Sequence, residues 1–267
     1  MPFADLPGVR MFYGDEGQGP PVLLVHGWSC DGNDWCYQVP ALVEAGFRAI
    51  SVDLRGHGNS SAPEGRYGPR IFAGDLAALL DQLNTGPVVA AGHSMGGATV
   101  VALAVEHPAK VRAVVPVDSA YGFGEGFRGQ RDAFIAGLSG PAGMATAKQL
   151  FSGFYPPASP VHLKAWHVRR LESVPRHVLV AAFEGMLSPD GFGFKPESEQ
   201  YLRRVAVPAL AFRAGNQDPS EVARWEREQF QHPKSKAVGW EGTGHFLHQE
   251  RPAEFNAILL EWLKGLE

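Results

Sequence analysis

The sequence predicts an α/β fold, with a mostly parallel central sheet, helices on both faces and a helical segment inserted late in the sheet. Three observations predict it. Short continuous apolar runs such as Val22–Val25 and Val111–Val117 have the composition of strands buried on both faces. They alternate with stretches of helical periodicity, and that alternation implies parallel pairing through right-handed crossovers. The alternation then fails from Ala120 to Val205, where helical pieces punctuated by Gly and Pro replace it.

In chain order, Val9–Tyr13 alternates as an early strand and Gly14–Pro20 reads as a turn. Val22–Val25 ends at His26-Gly27-Trp28, where Gly27 permits a sharp turn that aims the Trp28 N–H across the sheet edge. Asp34–Ala45 carries Trp35, Val39, Leu42 and Val43 at roughly helical spacing, and Phe47–Val52 is the next strand. Asp53–Ser61 is dense in turn formers. Its His57 precedes the candidate nucleophile and sits among glycines, so it reads as structural and not as a catalytic base. Tyr67–Leu83 presents Ile71, Leu76, Leu79, Leu80 and Leu83 on one helical face.

Pro87–Ala91 is a buried strand, and Ala98–His107 is a helix stopped by Pro108. Between them, Gly92-His93-Ser94-Met95-Gly96 fits G-x-S-x-G, a turn so tight that its flanking residues need almost no side chain. Such a turn strains the serine backbone and exposes its hydroxyl at the strand's carboxyl end. The N-terminus of the following helix points at the same spot. The N–H groups of Met95 and Trp28 together make a two-donor oxyanion hole.

Asp118-Ser119 ends the strand Val111–Val117. Residues 120–205 read as a cap over the site, inserted within one catalytic domain whose core is 1–119 and 206–267. Of its many aromatics, Phe123, Phe154, Trp166 and Phe183 are expected to bind substrate together with Trp28 and Phe246, which favours an apolar ligand. Pro208–Gly215 resumes the sheet, and Asp218 lies on the loop after it. Glu221–Phe230 is a helix, Ser235–Trp240 the last strand, Gly242–Phe246 a loop carrying His245, and Pro252–Leu263 the closing helix.

A serine hydroxyl is a poor nucleophile until a base takes its proton. An imidazole does so near neutral pH when a carboxylate fixes its tautomer. The order Ser94, Asp218, His245 supplies all three on strand-end loops. His245 is favoured over His248 because it directly follows Gly244 on the loop. Asp218 is favoured over Asp118, which also ends a strand but reads equally as a turn or helix cap beside Ser119.

The 267 residues, 45% hydrophobic and 19% charged, suit an ordinary globular protein with a substantial core. A net charge of −4 gives no electrostatic case for nucleic acid or an anionic membrane. No apolar run reaches the roughly 20 residues that span a bilayer, and the N-terminus lacks the basic start and apolar stretch of a signal peptide. The cytoplasm is the expected location, a monomer the expected state. Cys30 and Cys36 fit no metal motif and are expected as small, reduced core residues.

His26-Gly27-Trp28, Asp53-Leu54-Arg55-Gly56-His57-Gly58, Gly92–Gly97, Gly215-Asn216-Gln217-Asp218 and Gly244-His245 together give the chain a family character. It resembles the α/β-hydrolase superfamily over essentially its full length. The resemblance implies a Ser94–His245–Asp218 triad, an oxyanion hole from the Trp28 and Met95 amides, a cap over the pocket, and no metal or organic cofactor. Haloalkane dehalogenases and related epoxide hydrolases carry aspartate at the elbow, where this chain has Ser94. Plant-type hydroxynitrile lyases carry lysine beside the histidine, where this chain has Phe246. Carbon–carbon hydrolases of aromatic ring cleavage usually have a tryptophan just beyond the histidine, which Phe246-Leu247-His248 lacks. Cofactor-free perhydrolases look similar at Trp28 and Met95 but differ in their substrate-side loops. The expected activity is cofactor-independent hydrolysis of a small, largely apolar carboxylic ester or lactone through an acyl-serine. The alternatives are a carbon–carbon bond hydrolase of ring-fission products and a slow-turnover ligand-binding receptor on the same fold.

Overall fold

The computed structural model describes residues 2–215 and 218–266 of the chain. Its eight strands are β1 (Phe3–Leu6), β2 (Val9–Glu16), β3 (Pro21–Val25), β4 (Arg48–Val52), β5 (Val88–His93), β6 (Val111–Val117), β7 (Leu210–Ala214) and β8 (Lys236–Trp240). They form one sheet in the order β1-β2-β4-β3-β5-β6-β7-β8. The β1–β2 and β2–β4 pairs are antiparallel, and every other pair is parallel. The strand β1 has no counterpart in the sequence reading. It is a four-residue edge strand held to β2 through Leu6↔Val9, too short to show a period.

Three helices precede β6: α1 (Gln38–Glu44), α2 (Pro69–Gln82) and α3 (Met95–Glu106). Five lie between β6 and β7: α4 (Glu125–Ser139), α5 (Gly143–Ser152), α6 (Val161–Ser173), α7 (Arg176–Met186) and α8 (Glu197–Leu202). Then come α9 (Pro219–Gln229), α10 (Leu247–Glu250) and α11 (Pro252–Lys264). The helix expected over 34–45 is split into a 3-10 turn at Gly32–Trp35 and the shorter α1. The Asp31 carboxylate caps that turn by accepting from Asn33 N, and Asp34 is drawn into the interior.

Successive strand side chains serve opposite faces, as the pleat requires. Val22 and Leu24 pack with Leu42 of α1 and Phe255, Leu259 and Trp262 of α11. Leu23 and Val25 face the other way, toward Phe72, Leu76 and Leu79 of α2 and Val100 and Leu103 of α3. Continuous apolar runs are therefore what a sheet covered on both faces demands. The insertion between β6 and β7 continues this second core through Phe151, Leu171, Val178 and Phe183. A bridge between Phe123 and Phe194 ties its two ends together. Among the described residues no helix is long and apolar enough to cross a membrane.

Candidate active site

The β5–α3 turn sets Ser94 at φ 52°, ψ −115°, a conformation that L-residues avoid and that persists only where surroundings enforce it. They do so here by close approach. A Cβ on Gly92 would strike the Gly96 carbonyl, and one on Gly96 would strike the Val25 and His26 carbonyls. Ser94 N donates to Val117 O at 2.9 Å, and Ser94 O accepts from Ala120 N at 3.0 Å. Ser94 occupies the N-cap position of α3, yet its hydroxyl makes no capping bond and is left for other work. The helix starts at Met95, three residues earlier than the sequence suggests, so the Met95 N–H is its first, unpaired donor.

Opposite lies the β3 exit loop. The His26 ring is buried and used on both edges: Nδ1 donates to Gly27 O at 2.7 Å, and Nε2 accepts from Leu54 N at 3.0 Å. This fixes the turn that carries Trp28. The Trp28 indole N–H donates to Leu179 O of α7 at 3.0 Å, while its ring packs on Phe183 at 5.3 Å. Gly27 is pressed against the elbow, where an added Cβ would meet His93 Nδ1 at 2.9 Å.

His245 is held from three sides. Its N–H donates to Phe154 O at 2.9 Å, its carbonyl accepts from His93 Nε2 at 2.9 Å, and its Nδ1 lies 2.6 Å from Asp118 Oδ2. The Phe154 and His93 rings each sit 4.5 Å from the imidazole. With Nδ1–H donating to a carboxylate, the lone pair falls on Nε2.

The carboxylate that reaches His245 differs from the expected one. Asp118, at the end of β6, points Oδ2 at the histidine and accepts from Ala214 N at Oδ1, 3.3 Å. Its N–H donates to Phe212 O at 2.8 Å, and its φ of 41° is left-handed. Asp218, favoured from the sequence, is exposed and caps α9, with Oδ1 accepting from Ser220 N at 2.9 Å and Glu221 N at 3.2 Å. The run Asp218-Pro219-Ser220-Glu221 carried the signal: an N-cap acid, proline at the first helical position and glutamate two further on. Asn216 and Gln217 of the same loop lie outside the described residues.

His248, His57 and His93 are buried in the interior. His248 packs on Trp35 at 4.7 Å, and burial pushes its pKa down to about 3. His57 Nδ1 donates to Arg55 O at 2.9 Å, and burial, with His26 nearby, pushes its pKa to about 3 as well. His93 is held well below the usual imidazole range by burial first and then by His245 and His248.

Ser94, Asp118 and His245 line a single cavity of about 250 Å³. Trp28, Phe123, Phe154, Phe183 and Phe246 line it too. Trp166 does not. Leu163, His167 and Leu171 are the buried face of α6, and Trp166 lies off that stripe, 42% exposed. Phe127, Leu150, Phe151, Met186 and Leu187 complete the apolar roof, and Cys30, Ser119 and Arg213 join the floor; none of these was singled out for the pocket from sequence. The available signal for Arg213 was a charge inside the otherwise apolar run Ala209–Ala214. Cys30 is buried as expected, but Cys36 is exposed. Among the described residues no group of three or more His, Cys, Asp and Glu side chains is placed to hold a metal ion.

The sequence signature of the alpha/beta hydrolase family matches residues 22–258. Epoxide hydrolase A of Mycobacterium tuberculosis is 32% identical over 98% of this chain and 97% of its own. The chain spans only 21% of the bifunctional epoxide hydrolase 2 of Sus scrofa, to which it is 38% identical over 117 residues. Among solved structures, Est816, described as an N-acyl homoserine lactone degrading enzyme, superposes with a TM-score of 0.83 at 25% identity, covering 97% of this chain and 98% of that one. A thermophilic esterase from Thermogutta terrifontis shares the fold, with a TM-score of 0.85 at 24% identity and coverage of 100% and 99%.

Proposed function

This chain belongs to the α/β-hydrolase family, and from that premise we propose that it is a serine hydrolase of small, largely apolar carboxylic esters or lactones. The observation that carries the reading is the 2.6 Å contact of Asp118 with His245 beside the strained Ser94, all on one apolar cavity. Residues 120–205 act as its cap. The cavity is smaller than the roughly 300 Å³ at which ligand pockets usually begin, which favours a compact substrate.

In this reading His245 Nε2 takes the Ser94 hydroxyl proton as Oγ bonds to the carbonyl carbon. The oxyanion so formed is met by the Trp28 and Met95 N–H groups. Collapse breaks the carbon–oxygen bond to the alcohol, which leaves with the proton from His245. Water then attacks the acyl-serine, His245 again taking and returning the proton, and the acid departs. Asp118 keeps Nδ1 protonated and offsets the imidazolium charge in both halves.

The similarity to epoxide hydrolases does not extend to the elbow chemistry. A serine that opened an epoxide would form an ether, which water at this site cannot cleave, whereas a carboxylate would form a hydrolysable ester. Ser94 therefore supports acyl transfer.

Stopped-flow hydrolysis of p-nitrophenyl butyrate tests the proposal. It expects a burst of about one nitrophenolate per chain that is absent in Ser94→Ala. Turnover surviving in Ser94→Ala overturns the mechanism, and wild-type inactivity on short esters and lactones overturns the substrate class.

A further inference from the structure

Strand β7 places one charged residue, Arg213, in the interior, 6% exposed. Its Nε donates to Glu226 Oε2 of α9 at 2.7 Å, and Glu226 is fully buried. The Tyr121 hydroxyl donates to the other Glu226 oxygen, and the Tyr121 ring lies 5.0 Å from the guanidinium carbon. Burying such a pair is seldom a source of stability, because desolvation of both charges offsets their attraction. A positional role accounts for it better.

The remaining contact shows what is positioned. Arg213 Nη1 donates to the carbonyl of Ser119, the residue after Asp118, at 2.7 Å. The neighbours of Arg213 on β7 hold Asp118 itself, Phe212 O accepting its N–H and Ala214 N donating to its carboxylate. Tyr121 N donates to the same Ser119 carbonyl at 2.9 Å. The left-handed Asp118 is thus fixed on one flank by the β7 backbone and on the other by a planar, doubly anchored guanidinium.

Resting on the reading of Asp118 given above, we infer that Arg213 is a positioning residue for that carboxylate, with Glu226 and Tyr121 as the anchor that aims the guanidinium. The fork is essential, since one donor is spent on Glu226 and another on Ser119. A lysine supplies a point charge that cannot hold both in a fixed plane.

The test is a double-mutant cycle on p-nitrophenyl butyrate between Asp118→Asn and the paired change Arg213→Met with Glu226→Gln, which leaves no buried charge unpaired. A cooperative thermal melt checks folding. The paired variant is expected to lose about ten- to a hundred-fold in kcat with KM little changed, as a displaced catalytic group does. Asp118→Asn should then cost far less in that background than in the wild type. Arg213→Lys should fold and keep the low kcat. Full kcat in the folded paired variant, additive losses, or wild-type kcat in Arg213→Lys each overturns the positioning role while the Asp118 reading stands. If Asp118→Asn alone leaves kcat intact, the Asp118 reading fails and the positioning role falls with it.

Discussion

The Nε2–H of His93 donates to the carbonyl oxygen of His245 at 2.9 Å, so the residue that precedes the elbow serine also holds the backbone of the histidine. Because burial keeps His93 neutral, this is a hydrogen bond between uncharged groups and does not titrate where the protein works. Replacing His93 by Leu leaves that part-buried carbonyl without its donor, at a cost of about 1 kcal/mol. The expected outcome is a lower melting temperature and a reduced kcat with KM little changed. Unaltered steady-state kinetics in the folded variant would show that the contact does not position His245.

Asp118 and Asp218 should separate cleanly. Asp118→Asn is expected to lower kcat by roughly 10³–10⁴-fold, because the amide no longer selects the Nδ1–H tautomer. Asp218→Ala should keep its kcat and lose about 1 kcal/mol of stability with the α9 cap. The reverse pattern, read from kcat and urea midpoints of both variants, would return the acid role to Asp218.

The cavity-lining serine and histidine were visible in the sequence because each depends on consecutive residues: a glycine-flanked turn and a Gly-His loop. The acid was not, since the pairing of Asp118 with His245 spans 127 positions. It depends on how β7 registers against the end of β6, where Phe212 and Ala214 grip Asp118. The capping signature at Asp218 is local, and in the structure that residue sits at the start of α9 and not at His245. Trp166 shows the same lesson: the i, i+4, i+8 stripe of Leu163, His167 and Leu171 already turned it outward.

The buried histidines predict an acid weakness. His57 and His248, with pKa values pushed down to about 3, bind protons only after unfolding, where they titrate near 6.5. The unfolded chain therefore holds more protons between those limits, and stability falls as pH drops from about 6.5 toward 3, by about 1.4 kcal/mol per pH unit for each group. Urea unfolding at several pH values should show this slope, and His248→Phe should reduce it by one proton. An unchanged slope in that variant would mean that His248 does not contribute.

The insertion is anchored to the core by charge. Arg170 of α6 pairs with the buried Asp34 and, at 3.2 Å, with Asp31. Burial raises the Asp34 pKa, but Arg170 and then His167 outweigh it and hold the carboxyl well below its usual range. Arg170→Met strands that carboxylate, and the expected loss at pH 7 is about 3–5 kcal/mol. A melting temperature equal to wild type would show that the pair contributes nothing net.

The contact of Phe154 with His245 ties the insertion to the histidine. The backbone N–H of His245 donates to Phe154 O of the insertion at 2.9 Å, so a rigid displacement of the insertion would break that bond or carry His245 with it. In the proposed mechanism, displacement of the insertion and loss of the His245 position would therefore go together.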